Sequence, residues 1–178
     1  VVESGIFLAH AGVTILPRRA ADAMSAHAQA SCRHHQEFGD VLRDVAQARA
    51  VCANFIGADA SEVALLGPTS LGLSLFANGL NWAPGDELLY YGDDYPANVY
   101  PWMALQDRGV VIRPLRPDVT GGITPELVEE AITPRTRLVA LASCHFLSGR
   151  RIDVDAIGRM LQARGVLFSV DAIQTIGA

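Results

Sequence analysis

A carboxylate placed directly after an apolar run needs a partner, and Asp171 follows Val166-Leu167-Phe168-Ser169-Val170, with the amide of Gln174 three residues on. The partner is either a helix N-terminus or a ring nitrogen that must stay protonated, as in a pyridine used as an electron sink. A second group, Gly67-Pro68-Thr69-Ser70-Leu71-Gly72-Leu73-Ser74, lies between an apolar stretch and a helical pattern. Backbone N–H groups and hydroxyls in such a place can hold a phosphate. Its spacing is nearly that of a nucleotide P-loop, but Leu73 stands where a lysine must reach the terminal phosphates, so a nucleotide is set aside. The competing reading is an ordinary strand-to-helix turn with Ser70 as N-cap. A third group, Tyr91 to Trp102, is rich in aromatics within a chain that is 7% aromatic. Tyr95 is placed to lie flat on a cofactor ring, whereas Tyr100 and Trp102 are read as packing the next helix. Asp93 and Asp94 are read as solvated turn acids, because no complementary metal ligands accompany them.

Two further clusters carry less. Cys144 and His145 are neighbours on a strand end, where adjacent side chains point to opposite faces, so a Cys-His dyad is not expected. His145 alone reads as a satisfied structural histidine or as a site residue. Cys32, His34 and His35 have zinc-ligand chemistry but no second ligand pair, so a helix end or loop is the expected setting and no metal is proposed.

Composition narrows the classes. The 178 residues are 50% hydrophobic and 19% charged, enough for one domain or most of a larger one. A net charge of −5 gives no clustered positive field for nucleic acid. No apolar run approaches the roughly 20 residues of a membrane span, and no signal segment opens the chain, so the expected setting is cytoplasmic. The three cysteines, Cys32, Cys52 and Cys144, are odd in number and far apart, which fits buried thiols in a reducing compartment. All 14 basic residues are arginines; the sequence contains no lysine.

The elements that must position these groups follow from periodicity. Helices are expected from Pro17 through Met24 and from about Asp40 to Phe55, both amphipathic and outermost. Strands are expected at Val63–Leu66, Glu87–Tyr91, Val110–Ile112, Leu138–Leu141 and Val166–Val170. Helices are expected between them, at Ser70–Asn78, from Pro96, from Thr124 to Ala131 and from Asp153 to Arg164. Thr124-Pro125-Glu126 reads as a cap, a first-turn proline and an early acid, and Gly165 as a helix stop. Short apolar strands alternating with helices give an α/β fold, a mostly parallel doubly wound sheet with helices on both faces. Function then belongs to the loops after Leu66, Tyr91, Ala142 and Val170.

Five segments in order resemble the class V aminotransferase and cysteine desulfurase family of pyridoxal-phosphate (PLP) enzymes. They are Phe7–Gly12, the Thr69-Ser70 loop, Pro96-Ala97-Asn98-Val99-Tyr100-Pro101-Trp102, Ser143-Cys144-His145-Phe146-Leu147-Ser148-Gly149 and Val170-Asp171-Ala172-Ile173-Gln174. The resemblance implies the large PLP-binding domain of fold type I, with residues 1–20 as an N-terminal segment and 21–178 as part of that domain. It implies PLP as cofactor, an amino acid as substrate and a homodimer for the intact protein. Asp171 would then pair with the pyridinium nitrogen and Gln174 lie near the ring hydroxyl. Thr69, Ser70 and the Leu71 amide would hold the phosphate. Tyr95 would stack on the ring where many desulfurases have histidine, and His145 would lie by the ring hydroxyl and the substrate. His10 would approach the substrate.

The family's Schiff-base lysine, and its small C-terminal domain, would follow Ala178, so the 178 residues read as a fragment that is inactive alone. Two other classes stand beside this reading. One is a lysine-free binding or regulatory protein that retains the fold. The other is a Rossmann oxidoreductase, which lacks its Gly-x-Gly-x-x-Gly signature here.

Overall fold

Leu88 and Leu89, like Leu138 to Leu141, are apolar at consecutive positions, as strands require when both faces are covered, and all are buried. In the computed structural model, which describes residues 5–8, 12, 14–119 and 121–177, they lie in a four-stranded sheet. Its strands are β1 (Glu87–Tyr91), β2 (Val111–Leu115), β3 (Thr136–Ala142) and β4 (Leu167–Asp171). The order is β2-β1-β3-β4 and every pairing is parallel. The chain therefore steps from β1 to β2 on one side and to β3 on the other, which makes the carboxyl ends of β1 and β3 the topological switch point.

The chain divides into two compact units, Val1–Leu65 and Leu66–Ala178. The first contains helices α1 (Arg18–Ser31) and α2 (Phe38–Ile56) and a 3₁₀ turn at Ala60–Glu62. Gly57 closes α2 in the left-handed conformation, φ 70°, which a side chain would strain. Asp59 caps the turn in a reciprocal capping box with Glu62. Cys32 and Cys52 are exposed, not buried as expected. His35 Nε2 lies 2.7 Å from Glu37 Oε1, and His27 meets Gln36 at 3.2 Å, so two of the unit's histidines are partnered by side chains from the α1–α2 connection.

The second unit holds the sheet with α3 (Thr69–Gly79), α4 (Tyr100–Met103), α5 (Pro125–Ala131) and α6 (Val154–Ala163). Strand alternation sorts its core in two. Leu88, Tyr90, Leu138 and Ala140 face Ala77 of α3 and Trp102 of α4, while Leu89, Val139 and Leu141 face Val128 of α5 and Ile157 and Leu161 of α6. Thr124 caps α5 by accepting from the Leu127 amide, and Asp153 caps α6 by accepting from Ala156.

Three expectations fail for local reasons. Val63–Leu66 forms no strand: it follows the Ala60–Glu62 turn, with Leu65 and Leu66 exposed. The helix from Pro96 is broken into a 3₁₀ turn at Pro96–Asn98, the short α4 and a second turn at Ala104–Arg108, because Pro96 and Pro101 donate no amide. The N-cap of α3 is Pro68, not Ser70, which sits inside the first turn.

At the amino edge of the sheet, Glu87 is 4% exposed. It accepts from Arg113 Nη1 at 2.7 Å and Thr133 Oγ1 at 2.8 Å, with Arg135 Nη2 at 3.3 Å. Burial alone would raise its carboxyl, but the hydrogen bonds from Thr133 and Arg113 and the charges of Arg113 and Arg135 outweigh it, leaving it below the ordinary 4.5. A carboxyl lowered by folding adds stability that is complete above its unfolded value and is lost as pH falls through its folded value. Glu87→Gln should therefore lower the urea midpoint at pH 7, and the gap from the unsubstituted protein should narrow below about pH 4. A gap independent of pH would show that packing, not charge, is what the substitution removes.

Candidate functional site

The carboxyl ends of parallel strands collect loops, and here side-chain and backbone hydrogen bonds hold them together. Asp94, in the turn after β1, is only 6% exposed. Its Oδ2 accepts from the Ala142 amide at 3.0 Å, at the end of β3. Its Oδ1 accepts from the Tyr95 amide at 2.8 Å, and Asn98 Nδ2 donates to Oδ2 at 3.0 Å. Asp94 is thus a buried structural acceptor, not the solvated turn acid expected. Ser143, after β3, donates its amide to the Asp171 carbonyl at 2.9 Å, with its hydroxyl 2.6 Å from Thr175 Oγ1. These bonds fix the turn that carries Asp171 and Gln174 to the end of β3.

Asp171 is the last residue of β4 and is half-buried. Its Oδ1 accepts from the Ile173 amide at 3.0 Å, which shapes the turn, while Oδ2 has no partner among the described residues. A carboxylate held by one oxygen with the other open is suited to a cationic N–H. Gln174 lies in the same turn and is half-buried.

His145 is placed at the switch point, and both ring nitrogens are engaged inside the protein. Nε2 lies 3.0 Å from the Asp93 carbonyl, which can only accept, so Nε2 carries the proton. Nδ1 accepts from the Ser148 amide at 3.3 Å and lies 2.9 Å from its hydroxyl. The ring meets Tyr91 at 5.2 Å and Phe146 at 5.1 Å between centroids. Both of its sequence readings, structural histidine and site residue, fit this setting at the end of β3. Cys144 Sγ lies 4.0 Å from the His145 carbonyl oxygen, so the thiol and the ring nitrogens have separate partners.

Tyr95 is 54% exposed and stands edge-on to Phe146, 5.3 Å between centroids. The side chain is thus only partly covered by the protein. Trp102 is fully buried, as expected, but Tyr100 is 65% exposed and does not pack the following helix. At the start of α3, the Leu71 amide already donates to the Pro68 carbonyl at 2.9 Å. Among the described residues, the Thr69 and Ser70 amides and hydroxyls of that turn have no protein acceptor, as the start of a helix leaves them. Ser70 shares a groove with Pro96 and Ala97, so this turn lies beside the loop that carries Tyr95. Leu73 packs against the core, which accounts for the apolar residue at the P-loop lysine position. His10 lies outside the described residues.

The donor set fits PLP: open amides and hydroxyls for a phosphate dianion, an aromatic face for the ring, and a free carboxylate oxygen for its nitrogen. The ties made by Asp94, Asn98, Ser143 and Thr175 were not part of the sequence reading, which took Asp94 as a turn acid and quoted Asn98 and Ser143 only within family segments. The first two were legible as polar residues four apart, ending at Trp102 with the same spacing, which places all three on one side of a helical turn. Ser143 and Thr175 meet across 32 positions and leave no local signal.

The family model described as aminotransferase class V matches residues 6–178. A probable cysteine desulfurase of Methanothermobacter thermautotrophicus is 34% identical over 135 residues, covering 76% of this chain and 34% of the relative. Cysteine desulfurase IscS of Acinetobacter baumannii is 32% identical over 152 residues, covering 83% of this chain and 38% of the relative. The chain thus spans about a third of the length of these relatives. Among solved structures, a C-DES mutant with glycine covalently linked to the PLP cofactor superposes with a TM-score of 0.85 at 22% identity, over 94% of this chain and 46% of that one. DndA from Streptomyces lividans gives 0.81 at 24% identity, over 96% and 50%. At these identities the structures establish the fold, the parallel α/β architecture of fold type I, and PLP is the cofactor of the family. With the family model spanning nearly the whole sequence, the chain belongs to the class V aminotransferases.

Proposed function

We propose that this chain forms the cofactor-binding part of a PLP-dependent enzyme acting on a small amino acid, with cysteine desulfuration favoured by the similar relatives. PLP supplies an electron sink toward which bonds at an amino acid's α-carbon can break. The observation that carries the reading is the half-buried Asp171 with Oδ1 fixed and Oδ2 open at the end of β4. Thr69 and Ser70 would hold the phosphate, Tyr95 would cover the ring and Gln174 would orient its hydroxyl side. The covalent lysine would come from outside these 178 residues, which contain none. Exposed Leu75, Phe76 and Met103 support a homodimer for the intact protein.

Two substitutions in the intact protein should fail differently. Ser70→Ala removes a hydroxyl donor to a dianion and should weaken PLP affinity roughly ten- to a hundredfold, with much of the rate restored at saturating PLP. Tyr95→Ala should alter the absorption of the bound cofactor and slow turnover even when PLP is saturating, while Tyr95→Phe should retain most function. Equal damage from phenylalanine and alanine would assign the work to the hydroxyl. If neither position affected PLP binding or turnover, the cofactor reading of these loops would fall.

A further inference from the structure

We propose that Asp94 is a positioning residue of the cofactor site: its buried carboxylate fixes the loop that carries Tyr95 to the carboxyl end of β3. The inference rests on Tyr95 being the ring-face residue, and deepens that reading by saying what holds the face in place.

The need for such a tie follows from the sheet. β1 and β3 pair from Glu87 with Thr136 to Tyr90 with Ala140, and there the ladder stops. Ala142 lies two residues further along β3, at the height where β1 has ended and its chain has turned away. On its other side Ala142 is paired with Asp171 of β4. Its amide would face the switch point with no strand acceptor, at a cost of about 1–3 kcal/mol for a buried donor left unmade. Asp94 Oδ2 takes that place at 3.0 Å, bridging 48 positions of sequence.

The same carboxylate organises its own loop. Oδ1 receives the Tyr95 amide at 2.8 Å, directly fixing the backbone of the aromatic residue. Asn98 Nδ2 donates to Oδ2 at 3.0 Å, and Asn98 Oδ1 in turn accepts from Trp102 Nε1 at 3.1 Å. Asn98 is 1% exposed and Trp102 0%, so the chain of bonds ends in the core between α3 and the sheet. A second tie runs parallel to it, from His145 Nε2 to the Asp93 carbonyl at 3.0 Å. Tyr95 is thus fixed at its backbone by Asp94 and meets Phe146 at its ring, while more than half of the residue stays exposed. Three N–H donors converge on the Asp94 carboxylate, one on Oδ1 and two on Oδ2, and the residue is buried, so it acts through the loop it holds.

Asp94→Asn in the intact protein tests this. The amide keeps the side chain's size but turns one acceptor into a donor, facing either the Tyr95 amide or those of Asn98 and Ala142. Hydrogen exchange at the Tyr95 and Ala142 amides should quicken about tenfold or more, with α5 and α6 unchanged. In PLP-loaded protein the visible circular dichroism of the cofactor should lose amplitude, as in Tyr95→Ala, and the double substitution should be no worse than Tyr95→Ala alone. A residue that served stability only would lower the melting temperature and leave the spectrum of the folded protein intact. If Asp94→Asn does not fold, Asn98→Ala removes one donor of the three and should move both signals the same way by less. Unchanged exchange at Tyr95 and Ala142 overturns the tie whether or not PLP is present. Additive spectral effects overturn the route through Tyr95. Failure of the unsubstituted protein to bind PLP overturns the parent reading, which the exchange measurement does not depend on.

Discussion

Replacing Asp171 with alanine should cost the intact enzyme about three orders of magnitude or more in turnover, equivalent to roughly 4 kcal/mol of barrier at 1.36 kcal/mol per decade. The argument is electrostatic. A pyridine ring withdraws electrons from a substrate far better when its nitrogen is protonated, and a carboxylate at that nitrogen keeps the proton in place. Asp171 has the right form for this, because one oxygen is spent on the Ile173 amide and the other is open at the strand end. Asparagine separates the two roles. Asp171→Asn keeps an oxygen for Ile173, and with it the turn, but removes the charge, so it should be nearly as slow as alanine while binding PLP. Near-normal turnover in Asp171→Asn would show that the turn's shape is what matters, and would withdraw the pyridinium partner from the mechanism.

Much of this was legible in the sequence, and what was legible was local. β1 appears with the expected bounds, and the caps at Thr124 and Asp153 form as their residue types require. Doubly apolar runs such as Leu138–Leu141 announced strands covered on both faces, and the alternation with helices announced a parallel sheet. Asp171 could be singled out because a carboxylate following a buried run is costly wherever it points.

The failures share a cause: each depends on a partner distant in sequence or on competition within one turn. Val63–Leu66 has strand composition, but a strand exists only when paired with another, and the segment is not among the four paired strands. Asp94 looked like a turn acid because its decisive donor, Ala142, comes 48 residues later. His145 was legible as a histidine at a strand end, but its Asp93 partner lies 52 residues earlier and left no local signal. For α3, two capping-type residues, Thr69 and Ser70, stood together, and the extended backbone of Pro68 settled which position began the helix. Tyr100 and Trp102 are separated by one residue, and only the packed structure tells the buried ring from the exposed one.

Trp102→Ala should be the most destabilising single change in this part of the molecule, about 3–5 kcal/mol in urea unfolding. Trp102 is fully buried among Leu88, Leu105 and Leu138, and its ring meets Phe76 edge-on at 6.2 Å. Alanine removes that area and leaves a cavity beneath α3 that the surrounding strands cannot close. It also leaves Asn98 Oδ1 without the indole N–H, so the buried bonds running through Asn98 to Asp94 lose their anchor. Trp102→Phe isolates this second effect. Phenylalanine refills most of the space but has no donor, so it should cost only about 1–2 kcal/mol and still loosen the Tyr95 loop. The two variants then differ in stability by the packing of the ring but share the loss of the hydrogen bond. If Trp102→Phe left exchange at the Tyr95 amide unchanged, the indole would be a core residue alone, and the rigidity of the aromatic loop would have to come from Ala142 and His145.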